Sequence, residues 1–342
     1  MAEIPVLLDA PASAVPAVPP LSLSDIRQPV EGELKEFRRY FRKAMRSNVG
    51  ILDKVTRYVL RQKGKEIRPI LVLLSAKLCG GITESSYRAA ALVELLHTAT
   101  LVHDDVVDDA ERRRGVFSIN ALWKNKIAVL LGDFLLSRGL LLALDHEEYD
   151  LLHTVSDAVR RMSEGELLQI EKARKMDIDE EIYFRIISDK TASLIAACMV
   201  AGAVSADADA DTRAKVRTIG EQLGLAFQIR DDLFDYGTVD VGKPLGLDLQ
   251  EKKMTLPLIA SLKRAEPSER KRILKIVRKK KKRSGDITEV GKFVKKHGGL
   301  VYARSKMESL AADSAESLST FPPSDARDAL VGLAAYIVAR KK

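Results

Sequence analysis

From Glu31 to the end of the chain, apolar residues return at intervals of three and four, as in Leu92, Leu95, Leu96 and Ala99. That period sets one stripe of a helix against a core, whereas the strict alternation of a half-buried strand is hard to find. The pattern predicts a nearly all-α protein, with helices over about 31–47, 49–63, 67–79, 84–104, 118–144, 148–174, 179–203, 208–234, 255–265, 267–283, 287–297, 300–318 and 324–339. Punctuation agrees: Gly80-Gly81 closes one helix, Asp286 with Glu289 resembles a capping box, and Gly298-Gly299 separates two late helices. The connections are short and no repeat of fixed period is found, which favours one bundle over two domains. The longest polar interruption runs from Tyr236 to Lys253, where a loop is placed to carry function.

The N-terminal stretch 1–22 is rich in Ala, Pro and Val but lacks the basic start and continuous apolar core of a secretory signal. It is expected to be a disordered tail ahead of a single helical domain over 23–342. The most apolar later stretch, Ile127 to Leu144, contains Asp133 and Arg138, which are costly at a bilayer centre, so no membrane span is expected. Cys79 and Cys198 have apolar neighbours and form no CxxC pair, which argues against a disulfide framework or zinc ribbon and suits a reducing cytoplasm. The net charge of +8 implies affinity for anions, and much of the excess lies in Arg278 to Arg283, RKKKKR. That run reads first as a solvated helix end. A nucleic-acid partner is disfavoured, because no recognition module is present and aromatic residues make up only 5% of the chain.

Two acidic clusters change the picture. Asp104, Asp105 and Asp108 form DDVVD, and Asp231, Asp232 and Asp235 form DDLFD, each at the end of an apolar helix. Carboxylates at i and i+4 share a face and repel one another unless cations neutralise them. Oxygen-only ligands suit a hard divalent ion, and magnesium binds through one or two carboxylates together with substrate phosphates. Arg112, Arg113 and Arg114 follow the first cluster, and further cations stand at Lys65 and Arg68 in GKEIRP, at Lys190 in DKT, and at Lys243 and Lys253. Guanidinium forks match phosphate oxygens, so the set points to a phosphorylated substrate. A carboxylate-bridged di-iron bundle is the rival, since Glu94 and His97 form Glu-x-x-His on an apolar helix, but the second such pair it needs is not found.

LVHDDVVDDAERRRG, DKTASL, FQIRDDLFDYG and GKPLGLDLQEKKMTLPLI, with GKEIRP upstream, resemble in order the motifs of the trans-isoprenyl diphosphate synthase, or polyprenyl synthase, family. The resemblance spans Gly64 to Ile259. It implies a bundle of about a dozen antiparallel helices around a central apolar tunnel. It also implies a magnesium-dependent transferase that joins isopentenyl diphosphate to an allylic diphosphate, acting as a homodimer with at most peripheral membrane contact. In such an enzyme Asp104, Asp105 and Asp108 with Asp231, Asp232 and Asp235 would hold about three magnesium ions. Arg113, Lys190, Lys243 and Lys253 would grip the allylic diphosphate. Lys65, Arg68, His97 and Arg114 would bind isopentenyl diphosphate, Thr191 and Gln228 would face the reacting carbons, and Gln169 would lie near metal-bound water. A terpene cyclase of the same fold would carry an Asn-Ser-Glu motif where DDLFD stands. A catalytically dead partner subunit is disfavoured by two complete clusters.

Three positions depart from the family pattern: Lys63 replaces the first glycine of GGK, Lys252 stands where glycine precedes the loop lysine, and Val116 follows RRG. Helical rise places Ala99 and Thr100 about 6–8 Å behind Asp104, where a hydrocarbon tail would pass. Both are small, leaving a path towards Leu96, and a product longer than twenty carbons is expected.

Overall fold

The three- and four-residue spacing does become helix. A computed structural model describes residues 21–62, 64–113, 115–175, 178–236 and 246–340, and among these almost every element is α-helical. In chain order they are α1 (Leu23–Arg27), α2 (Glu31–Ala44), α3 (Gly50–Arg61), α4 (Ile67–Cys79), α5 (Glu84–Val107), α6 (Ile119–Leu144), α7 (Tyr149–Lys175) and α8 (Glu180–Ile187). A π-helical turn, Ser188–Ala192, joins α8 to α9 (Ser193–Ser205). There follow α10 (Ala210–Phe234), α11 (Leu247–Gln250), α12 (Leu256–Arg264), α13 (Pro267–Val277), α14 (Ser284–Lys296), α15 (Gly299–Ser319) and α16 (Asp325–Ala339).

The all-α expectation holds, with local corrections. Helices α1 and α11 have five and four residues, too few to show a period. The helix expected over 267–283 stops at Val277, because continuing it would stack the like charges of Arg278 to Arg283 one turn apart. Asp286 lies inside α14 rather than starting it, its carboxylate accepting the Arg283 backbone N–H at 2.9 Å. A minimal hairpin pairs β1 (Arg112–Arg113) with β2 (Val116–Phe117), Arg112 opposite Phe117, turning at Gly115 with φ 81°. Residues 1–20, most of the expected tail, lie outside the described residues.

Helix α9 is buried along almost its whole length, packed on α4, α7 and α10. Helix α10 lies between α9 and α15, and α5 runs along α6. Two stretches, Ile119–Leu144 and Glu180–Ser205, are long and apolar enough to cross a membrane. The second is mostly buried inside the bundle. Helix α6 instead exposes Leu122, Val129, Leu130, Leu140, Leu141 and Leu144, while its Arg138 donates to the Ala44 carbonyl at 2.9 Å.

Candidate active site

Helix α5 delivers the first cluster. Its last turn places Asp104 and Asp108 on one face, and rotates Asp105 inward, where its side chain is only 4% exposed. The hairpin turns the chain back so that Arg113 Nε donates to Asp105 Oδ1 at 2.7 Å, and Asn120 Nδ2 donates to the Asp105 carbonyl. Tyr58 holds the hairpin by donating to the Phe117 carbonyl at 2.7 Å. Burial pushes the Asp104 carboxyl up; Asp108 and Glu166 push the same way, against Arg113 and Lys190.

Helix α10 delivers the second cluster, and its three carboxylates meet three different environments. Asp231 accepts from Arg340 Nη2 at 2.5 Å. Asp232 is 4% exposed, accepting from Tyr183 Oη at 2.7 Å and from Gln228 Nε2 at 3.0 Å. Burial raises its carboxyl to about 7, since two neutral donors do not replace lost water. Asp235 is raised first by burial and then by neighbouring Asp248, partly offset by backbone N–H groups at the start of α11.

Between the clusters stands the π turn. An i→i+5 turn inserts an extra residue into a helix, and such turns are frequent at functional sites because they re-aim side chains. Here it carries Lys190 and Thr191. Lys190 forms an ion pair with Glu166 and reaches Gln169 Oε1 at 3.4 Å, while the Thr191 hydroxyl donates to Gln228 Oε1 at 3.0 Å. Thr191, Gln228, Asp232 and Tyr183 therefore form one hydrogen-bonded chain. Glycines let neighbouring backbones close on the turn: a Cβ on Gly224 would fall 2.5 Å from Ala192 Cα, and one on Gly165 would fall 2.9 Å from Lys190 N. Arg161 of α7 holds the turn by its side, donating to Asp189, Ser188 and Glu221.

A cavity of about 460 Å³ is lined by Lys190, Thr191, Gln228, the second cluster, Asp248, Lys253 and Arg340. An outer cavity of about 1020 Å³ contains Asp108 and Glu166, and it shares Gln169, Lys190 and Lys253 with the first. The two therefore adjoin at Lys190, which lines both. Lys253 is paired with Glu251 at 2.6 Å and Asp248 at 3.3 Å. Lys65 is exposed just before α4, Arg68 lies in the first turn of α4, and His97 is buried on adjacent α5. Arg68 and Glu94 are near enough to Cys198 to act on its thiol, which burial pushes up to about 12. Ala99 and Leu96 are buried on α5, and Thr100 donates to the His97 carbonyl. Arg114 and Lys243 lie outside the described residues.

Sequence reasoning missed Tyr183 and Arg340. Nothing in spacing links Tyr183 to Asp232, forty-nine positions away, or Arg340 to Asp231, 109 positions away. Arg340 is 7% exposed, lies over the Phe227 ring at 3.9 Å and is gripped through its own carbonyl by Arg230. The first cation after the strongly apolar run of α16 is the signal that could have flagged it. Among the described residues no three His, Cys, Asp or Glu side chains converge as a finished metal cage.

The polyprenyl synthetase family model matches residues 49–294. The all-trans-nonaprenyl-diphosphate synthase (geranyl-diphosphate specific) of Rhodobacter capsulatus is 36% identical over 315 residues, covering 90% of this chain and 95% of that one. The short chain isoprenyl diphosphate synthase of Methanothermobacter thermautotrophicus is 34% identical, covering 85% of this chain and 90% of that one. In structure, the polyprenyl synthase of Caulobacter crescentus CB15, complexed with calcium and isoprenyl diphosphate, aligns with a TM-score of 0.85 at 32% identity. It covers 95% of this chain and all of that one. The chain belongs to the polyprenyl synthetase family, and it is a prenyl-transferring enzyme.

Proposed function

We propose that the enzyme condenses isopentenyl diphosphate head to tail with an allylic diphosphate to give an all-trans polyprenyl diphosphate, with magnesium as its metal. The observation that carries this reading is Lys190, which lines one cavity with Asp108 and the other with Asp231, Asp232 and Asp235. A diphosphate placed there would touch both clusters and the cations between them.

The donor set fits a hard divalent ion. It is all oxygen, and Asp104 and Asp235 are raised by burial and by adjacent carboxylates, which a cation would relieve. An open set of carboxylates, rather than a finished cage among the described residues, suits magnesium, which takes substrate phosphates as its remaining ligands. Asp104, Asp105 and Asp108 with Asp231, Asp232 and Asp235 would hold about three ions. When bound, they supply positive charge that stabilises the departing diphosphate.

The chain's own residues do the rest. Lys190, Arg113, Lys243 and Lys253 orient the allylic diphosphate, and Lys65, Arg68, His97 and Arg114 hold isopentenyl diphosphate. The allylic carbon–oxygen bond ionises, the isopentenyl double bond attacks the allylic carbon, and a proton passes to the released diphosphate. The hydrogen-bonded Thr191 and Gln228 present oxygen to the cavity, where their dipoles steady the cationic carbon.

On α5, buried Ala99 and small Thr100 precede Asp104 and leave the wall towards Leu96 unblocked. We read this as a product of roughly thirty to forty-five carbons, the tail running back along the 1.5 Å-per-residue rise of α5. Relatives of similar identity carry both long-chain and short-chain names, so this wall, not the similarity, carries the length. The apolar stripe of α6 is read as the interface of a homodimer, because exposed Asp133 beside it suits a wet protein interface better than lipid. A cytoplasmic enzyme with peripheral membrane contact at most follows from that reading.

The test is incubation with labelled isopentenyl diphosphate, farnesyl diphosphate and magnesium, followed by chromatography of the dephosphorylated lipids. Extended chains that vanish on chelation are expected. Absence of elongation from every allylic starter would refute the proposal.

A further inference from the structure

We propose that the outer cavity carries a second diphosphate-binding subsite, built by Arg174, Lys252 and Arg278 at the rim of the cleft, where Asp108 is the one aspartate of either cluster that reaches it. The inference rests on the prenyl-transfer reading above.

Lys252 has φ +61°, a left-handed conformation that glycine adopts freely and lysine rarely. It ends α11, donating its N–H to the Leu249 carbonyl at 3.0 Å, at a helix terminus where glycine is the usual residue. A strained residue is retained only where its surroundings hold it, and such residues cluster at ligand clamps. This lysine lines the outer cavity.

The second cation comes from the RKKKKR run, which the reaction leaves unused. Gln250 clasps the run from both sides, donating Nε2–H to the Lys282 carbonyl at 2.9 Å and accepting the Lys282 N–H at 3.2 Å. That clasp ties the basic link to α11, so Arg278 and Lys252 meet at one cavity. Arg174, from the C-terminal part of α7, supplies the third.

The charges in the cavity do not cancel. Five cations and three carboxylates line it, a surplus of two positive charges. Glu166 is taken by Lys190 and Glu251 by Lys253. Only Asp108 remains against Arg174, Lys252 and Arg278, none of which forms an ion pair with another described residue. At about 1020 Å³ and open to solvent, the space admits a hydrated diphosphate, whose oxygens suit guanidinium forks and an ammonium. The reaction offers two sources: the inorganic diphosphate it releases, and the head group of a prenyl diphosphate entering or leaving. The catalytic cleft adjoins this cavity at Lys190 and Lys253, which line both, so either source arises next to it.

The experiment titrates inorganic diphosphate, and separately farnesyl diphosphate, into wild type, K252G and R278Q by calorimetry in EDTA, which silences the metal-dependent site. Any binding at the isopentenyl site is common to all three proteins, so the difference reads the outer cavity. K252G keeps or raises thermal stability, because glycine suits that φ, and both variants bind diphosphate about three- to tenfold more weakly. Loss confined to inorganic diphosphate assigns the subsite to the released group; loss for both ligands assigns it to the head group they share. Equal affinity in wild type and both variants would overturn the proposal. The elongation assay run beside it separates the two failures: wild type that elongates chains while affinities stay equal removes the subsite alone, and wild type that elongates nothing removes the reading beneath it.

Discussion

Replacing Asp232 by asparagine tests the electrostatics of the cleft without changing its shape. The carboxyl is buried against Tyr183 and Gln228, and burial first, then Asp248 and Asp231, raises it from 3.8 to about 7. The sign follows from linkage. A raised acid binds an extra proton in the folded state, so its contribution is fully present below about pH 4 and lost as pH rises through about 7. A shift of about three units at 1.36 kcal/mol per unit gives an upper bound of about 4 kcal/mol above pH 7. The amide that Asp232→Asn introduces never ionises. Its oxygen can accept from Tyr183, and a flipped Gln228 can present oxygen to the new amide while the Thr191 hydroxyl accepts from its nitrogen, at a cost of about 1 kcal/mol for the rearranged hydrogen bonds.

Without metal, D232N should therefore lie close to wild type at pH 5, above it by less than about 1 kcal/mol, and exceed it by about 2–3 kcal/mol at pH 8.5. Denaturant unfolding in EDTA across pH 5 to 9 measures this. With magnesium and a diphosphate present the order should reverse, because the variant lacks the anion that the ions stabilise. Parallel stability curves for the two proteins across this range would refute the reasoning, since they would mean that Asp232 titrates alike in the folded and unfolded chain.

Three further outcomes follow from the same geometry. R340A should raise divalent-ion affinity several-fold in the absence of substrate by freeing Asp231, and should cost about 2 kcal/mol of stability through the lost stack on Phe227; calorimetry showing unchanged ion affinity would count against competition at Asp231. G224A should destabilise by about 1–3 kcal/mol and depress kcat, because its Cβ meets the Ala192 backbone rather than a side chain that can turn aside; normal turnover would show that the π turn tolerates displacement. A99Y should shorten the products by several isoprene units when both proteins receive the same substrates, and equal lengths on chromatography would remove the α5 wall as the determinant.

The aspartate clusters, the lysine–threonine pair and the long helices were legible because each is local. Asp104 and Asp108 share a face by helical geometry alone, and the apolar run around Leu92 to Ala99 packs the opposite face against the core, which leaves the two carboxylates turned outward. What stayed hidden depends on chain reversal. The pairing of Asp105 with Arg113 depends on a hairpin made from four paired residues, too short for any periodic signal. The π turn is invisible because Ser188 to Ala192 reads as continuous helix; what distinguishes it is the tight backbone approach of Gly165 and Gly224 from two other helices. The end of α13 at Val277 follows from charge repulsion rather than from a glycine or proline, so the usual stop signals are absent.

The two clusters share a division of labour that neither motif spells out. In each, one carboxylate already has a protein cation: Asp105 has Arg113, and Asp231 has Arg340. The others are left to burial and mutual repulsion, which raise Asp104, Asp232 and Asp235. If all six carboxylates had protein partners, the cleft would be a stable salt-bridge network with no affinity to spare for ions. If none had, six negative charges in one half-buried cleft would oppose folding. Pairing one carboxylate per cluster avoids both extremes: the helix ends stay folded, and the remaining carboxylates gain most when divalent ions and a diphosphate arrive together. The same balance explains why Lys190 is held by Glu166, Gln169 and a π turn rather than by an aspartate. An ion pair to either cluster would place the lysine on one side, whereas the cleft needs it between them.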